Sequence, residues 1–147
     1  MKREILAKEA IALQVEVKDW EDAIRQAGEL LLNIGKIESP YIEATIRNIR
    51  ELGPYILIAP NIALPHARPE DGVIEEGISL LTLGHAVAFN EKMPFQIIIC
   101  LAAVDHNLHI DMLKKIAEIL GNEKLVDRLL TTKSVEEVYN MFNGEVK

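Results

Sequence analysis

Residues 95–104 read FQIIICLAAV, an almost unbroken apolar run. A strand with one wet face alternates apolar and polar residues, whereas a strand covered on both faces does not. The run therefore predicts a central strand, which needs helices above and below it to keep both faces dry. The rest of the chain supplies them. Upstream, Ile11 to Val17 reads as a first strand. Asp19, with Asp22 three residues on, opens a helix whose apolar stripe is Ala23, Ile24, Ala27, Leu30, Leu31 and Ile34, with Gly35 as its stop. Ser39-Pro40 opens a second helix with Ile42, Ile46 and Ile49 on its buried side, ended by Gly53-Pro54. Tyr55 to Ile58, Ile62 to Leu64, Ile78 to Leu83 and Ala86 to Phe89 are strand-like, and His85 falls in an expected turn between the last two.

Downstream, Leu108 to Leu120 carries helical periodicity, with Leu108, Met112, Leu113, Ile116, Ala117 and Leu120 on one side. Glu123 to Leu130 and Ser134 to Phe142 read as two shorter helices, the second with Ser134 and Glu137 spaced as a capping box. The expected architecture is α/β. It is a single domain over residues 1–147, with a mixed β-sheet flanked by helices on both faces.

Composition removes several functions. The 147 residues carry a formal net charge of −7 and no basic cluster, which argues against nucleic acid as a partner. No window approaches the ~20 apolar residues of a membrane span, and Lys8 and Glu9 interrupt the N-terminal apolar residues, so direct membrane insertion is not expected. The single cysteine, Cys100, sits in the central apolar run and fits a reducing, cytoplasmic setting. The P-loop, the G-x-G-x-x-G turn and the G-x-S-x-G elbow are all absent.

The chemistry concentrates in two stretches. In the first, Ala59 to Gly72 (APNIALPHARPEDG), His66 follows Pro65, and Arg68 precedes Pro69. The prolines restrict the backbone on either side, so the imidazole sits on a short stiff segment suited to a pre-positioned nucleophile. Arg68 adds a planar cation that matches phosphate oxygens. Together they read as a site of transient phosphorylation. A structural histidine in a proline-rich turn is the competing reading.

In the second stretch, AAVDHNLHIDML, His106 and His109 are three apart at the start of a helix, where amide N–H groups and a partial positive charge favour an anion. A metal site from Asp105, His106 and His109 and two unemployed exposed histidines remain open beside that reading, although H-E-x-x-H spacing is missing. Such a metal site would make the chain a hydrolase using His66, His106 and His109.

IALPHARPEDG, preceded by SPYIEATIRNIRELGP and followed by DHNLHIDMLKKIAEIL, resembles the enzyme IIA component of the bacterial sugar phosphotransferase system. The similarity is to the mannitol/fructose type, and GPYILIAPNIALPHARPE is similar to its ascorbate and galactitol-like branch. It extends from about Ile5 to Phe142. The resemblance implies a mixed sheet between helices and a phosphoryl group received from phospho-HPr on His66. It also implies delivery to a cysteine of enzyme IIB, which serves the membrane component IIC in sugar uptake. No cofactor and no metal are implied. His109, in the H-[IL]-x-x-L context with Ile110 and Leu113, takes the role of phosphoryl stabiliser, and His106 is its neighbour. The family's arginine late in the second helix falls on Arg50, beside Glu51, with Arg47 one turn earlier as the alternative; Arg68 is a third supporting cation. Ile62, Leu64 and Pro69 are candidates for an apolar docking patch around His66, with ordinary core packing as the competing reading. A stand-alone regulatory IIA, whose phosphorylation state controls a protein partner, is the second function that the resemblance admits.

Overall fold

The apolar run forms the middle strand of a five-stranded sheet. In chain order the elements are β1 (Leu6–Val15), α1 (Trp20–Asn33), α2 (Ser39–Leu52), β2 (Leu57–Ala59), β3 (Asn61–Ala63), β4 (Gly77–Ala88), β5 (Pro94–Ala102), α3 (His106–Leu120), α4 (Glu123–Thr131) and α5 (Val135–Asn143). The structure is a computed structural model and describes residues 4–90 and 93–144. The strand order is β1-β4-β5-β3-β2. β1 pairs with β4, and β3 with β5, in parallel; the β4–β5 and β2–β3 pairs are antiparallel.

Both faces of β5 are dry, as its composition requires. Ile97, Ile99 and Leu101 pack with Met112, Ile116 and Ile119 of α3, Leu129 of α4, and Val138 and Phe142 of α5. Ile98, Cys100 and Ala102 face the other way, onto Ala23, Ile24, Ala27 and Leu31 of α1 and Ile42, Ile46 and Ile49 of α2. The helices thus lie on both faces of a mixed sheet. One irregularity re-aims the strand. Asn61 stands opposite Phe95 but Ile62 opposite Ile97, so Gln96 is an extra residue in β5. It places Phe95 in the α1–α2 layer, on the same side as Ile98. Between β2 and β3 the chain reverses through Pro60 and Asn61, with Ala59 paired to Ile62. Proline followed by a residue at φ 75° is the order a type II turn demands.

Several sequence expectations are corrected. β1 begins at Leu6 rather than Ile11, with Leu6, Ala10 and Ile11 buried and the charged Lys8 and Glu9 between them exposed. Residues 78–83 and 86–88 belong to one continuous strand that stops short of Phe89, so His85 is not in a turn but exposed on β4. α2 already includes Ser39 in its first turn, leaving Glu38 in the cap position. Ser134 does cap α5 by accepting from the Glu137 amide at 3.1 Å, but the Glu137 carboxylate turns to Arg128 and Thr132 and the box stays half-made. On α3, Ala117 faces water and Ile119 takes the buried place.

β1 lies at one margin of the sheet, and Asn143 at the end of α5 is bonded to it. Its Oδ1 accepts from the amides of Ile5 and Leu6 at 2.8 and 3.2 Å, and its Nδ2 donates to the Leu6 carbonyl at 2.7 Å. On the opposite layer, α1 and α2 come close at Gly28. A methyl group there would stand 2.7 Å from Ile42 Cγ1. In an exposed helix, glycine to alanine gains about 1 kcal/mol. Here the added carbon meets the branched stem of a buried side chain, and overpacking costs about 1–3 kcal/mol. Gly28→Ala is therefore expected to lower the urea midpoint, against helix propensity; a raised midpoint would show that the contact relaxes freely.

Candidate active site

β3 and β5 are parallel neighbours, so the chain leaves both strands at the same margin of the sheet, the usual place for a site in such a fold. His66 follows β3 and α3 begins just after β5. This topology brings His66 and His109 together, with ring centroids 5.5 Å apart.

The segment around His66 is held almost residue by residue. The Leu64 amide donates to the Ile56 carbonyl at 2.7 Å, and the Leu101 amide of β5 donates to the Pro65 carbonyl at 3.0 Å. The Tyr55 hydroxyl donates to the His66 carbonyl at 2.8 Å. The Ala67 amide donates to the Tyr41 hydroxyl at 3.0 Å, and that hydroxyl donates in turn to the Leu101 carbonyl at 2.6 Å. Arg68 and Asp71 close the turn, the Arg68 amide on the Asp71 carboxylate and the Asp71 amide on the Arg68 carbonyl. The ring itself is oriented by a bond of 2.9 Å between Nδ1 and the Leu64 carbonyl. A carbonyl can only accept, so Nδ1 carries the proton and Nε2 keeps its lone pair free.

Two hollows lie beside this segment, and His66 borders the first of them. One is lined by Arg47, Asn48, Leu52, Tyr55, His66, Arg68 and Asp71. The other is lined by Ala67, Arg68, Pro69, Ala103, Asp105, His106 and His109. Asp105 caps α3 by accepting from the Leu108 amide at 2.8 Å. That leaves the earliest helical amides without a partner inside the helix, at the rim of this second hollow. Its carboxylate is thus committed to a cap. Among the described residues no three His, Cys, Asp or Glu side chains are arranged to hold a metal ion.

The other residues singled out in the sequence divide as follows. Arg47 borders the hollow beside His66. Arg50 lines neither hollow; its Nε donates to Glu21 of α1 at 2.7 Å. Arg68 borders both hollows, is largely exposed, and is paired only loosely, 3.7 Å from Glu70 and 3.6 Å from Asp71. His106 shares the second hollow with His109. Of the expected apolar patch, Ile62 and Leu64 are core residues, whereas Pro69 is exposed and borders the second hollow. The exposed apolar side chains bordering the first hollow are Leu52, at 72 % exposure, and Tyr55. Sequence reasoning missed Tyr41, Tyr55 and Asn48. Tyr41 and Asn48 are seven apart on α2 and therefore share one helical face, which was the available signal. Burial pushes the Cys100 thiol up to about 12, which removes it as a nucleophile.

Residues 4–145 match the family described as phosphoenolpyruvate-dependent sugar phosphotransferase system, EIIA 2. The chain is a type 2 enzyme IIA. It is 35% identical over 145 residues to the ascorbate-specific PTS system EIIA component of Escherichia coli K12, covering 96% of this chain and 94% of that one. It superposes on the mannitol-specific cryptic phosphotransferase enzyme IIA CmtB of Escherichia coli with a TM-score of 0.86 and 32% identity, over 95% of each chain. The Escherichia coli mannitol enzyme IIA, solved in complex with phosphorylated mannitol enzyme IIB, gives a TM-score of 0.81 at 30% identity, over 95% of this chain and 97% of that one. The fold it shares with them is, in this chain, a five-stranded mixed sheet between helices. No helix among its described residues is long and apolar enough to cross a membrane.

In this enzyme IIA, His109 is the imidazole whose protonation is disfavoured. Partial burial is the main cause, and the adjacent His66 and His106 add to it. Its protonation is expected to fall below the ordinary imidazole value of 6.5, so that it is neutral at pH 7. The stability tied to neutral His109 is complete above that ordinary value and is lost as the pH falls through the lowered one. A histidine NMR titration checks this: as acid is added, the His109 ring should protonate only below the ordinary imidazole value of 6.5, and protonation at or above that value would contradict it.

Proposed function

We propose that the chain is a phosphocarrier in which Nε2 of His66 takes a phosphoryl group from phospho-HPr and passes it to a cysteine of enzyme IIB. The observation that carries this reading is the Nδ1 bond of His66 to the Leu64 carbonyl, which leaves a lone pair on the nitrogen facing away from the backbone. The steps balance without an external base. The Nε2 lone pair attacks phosphorus as the donor's P–N bond breaks and its electrons return to the donor imidazole. The His66 ring becomes cationic, with its Nδ1 proton still on the Leu64 carbonyl. Attack by the acceptor thiolate then breaks the Nε2–P bond and restores the neutral ring.

The protein's part is positioning and charge. A phosphoryl group adds nearly two negative charges. Arg68 and Arg47 supply cations, His109 and His106 supply N–H donors, and the start of α3 supplies amides. Arg50, held by Glu21, acts at most from outside. The exposed apolar side chains of Leu52 and Tyr55 suit a modest, transient protein interface that serves donor and acceptor in turn. The level of identity to an ascorbate-specific component supports a transported sugar of the ascorbate-like type, with IIC as the membrane partner. The location is cytoplasmic, where HPr and IIB are found.

The test is transfer of labelled phosphate from phosphoenolpyruvate through enzyme I and HPr, then onward to IIB. Wild type should take an acid-labile label and pass it on. His66→Ala should take none, and His109→Ala should slow transfer about 100-fold, the scale of losing a group that stabilises developing charge. Label that survives His66→Ala overturns the assignment. Label that is accepted but not passed to any IIB favours the regulatory role instead.

A further inference from the structure

The His66 carbonyl and the Ala67 amide belong to one peptide group, and two tyrosine hydroxyls hold it from either end. Tyr55 donates to the carbonyl oxygen at 2.8 Å, and Tyr41 accepts from the N–H at 3.0 Å. We propose that Tyr41 and Tyr55 form a clamp on the peptide following His66 and act as positioning residues for phosphoryl transfer. The proposal rests on the reading of His66 as the phosphoryl carrier.

The clamp fixes the plane that sets the His66 ψ and Ala67 φ angles, and with them the direction of the imidazole. Both tyrosines are themselves anchored. Tyr41 is 1% exposed and spends its own proton on the Leu101 carbonyl at 2.6 Å, tying the clamp to β5. The Ala67 carbonyl is 3.3 Å away, a poorer acceptor for the same proton. Tyr55 is placed by its ring, which lies in the first hollow with Asn48 of α2 and meets the His66 ring edge-on with centroids 5.4 Å apart. Burial is the main force keeping both phenols protonated, so each remains a donor throughout the physiological range. A ring held this way can keep Nδ1 on the Leu64 carbonyl while Nε2 gains and loses phosphorus. Transfer between side chains is steeply sensitive to such placement, and an error of about 1 Å is worth about 100-fold.

The experiment compares wild type, Tyr41→Phe, Tyr55→Phe and the double variant, each well below its melting temperature. Two quantities are read: the rate of label uptake from phospho-HPr, and the nitrogen chemical shifts of the His66 ring. Each single variant should slow uptake by about 10- to 100-fold. Each should also move the His66 nitrogen shifts from a single Nδ1–H tautomer towards a mixture. Because both hydroxyls hold one peptide group, the double variant should lose less than the product of the singles. Tyr139→Phe, whose hydroxyl bonds Glu4 and no group of the site, should match wild type in both. Lost thermal stability with wild-type rate and wild-type shifts in Tyr41→Phe and Tyr55→Phe would overturn the clamp. Should Tyr41→Phe fail to fold, Tyr55→Phe decides alone. Absence of label on wild type would instead sink the carrier reading, and the nitrogen shifts would still judge the clamp.

Discussion

The peptide group of Leu101 is where the sheet and the site are joined. Its N–H donates to the Pro65 carbonyl, and its carbonyl receives the Tyr41 hydroxyl. Leu101 is in β5, whose two faces are both packed, and a one-residue slip there would turn each apolar side chain to the wrong layer. The register of β5 is thus among the most strongly fixed quantities in the molecule. The His66 segment, hydrogen-bonded to it, inherits that precision despite lying outside any strand. The loop owes little to its own propensity and much to the strand beside it.

The fold was legible because its signals were local. The unbroken apolar run could only be a strand covered on both faces, and the stripes Ala23-Ile24-Ala27-Leu31 and Ile42-Ile46-Ile49 could only be helices packed on it. Where signals competed, tertiary context won. Gly84 and His85 look like a turn, yet they continue β4 because Val87 and Ala88 still find partners, Phe95 and Pro94, on β5. Ala117 has the right spacing for burial, but the larger Ile119 fills the space against the sheet.

In the site, the pair His66 and His109 was readable from motif and order. Their neighbours were harder to read: spacing puts Tyr41 and Asn48 on one face of α2, but it does not say that the Tyr41 hydroxyl meets a loop amide. Arg50 shows the same limit: the dipeptide with Glu51 suggested an active-site cation, but which acid a surface arginine meets depends on how α1 lies against α2, and here that acid is Glu21. The two exposed apolar side chains beside His66 follow the same logic. Ile62 and Leu64 are close to His66 in sequence, but Ile62 is in the parallel ladder and Leu64 is buried just past it, while Leu52 reaches the hollow from the end of α2.

The Asn143 side chain is a small feature with a broad effect. β1 is a marginal strand, and a margin offers bare amides and carbonyls to any other chain in solution. An amide side chain that accepts from two of those amides and donates to a carbonyl occupies the first positions a foreign strand would need. Lys8, paired to Glu136, puts charge on the same strand. The last helix therefore does more than cover a hydrophobic face. It also closes the first edge positions of β1 to another strand, a task for one asparagine far from His66.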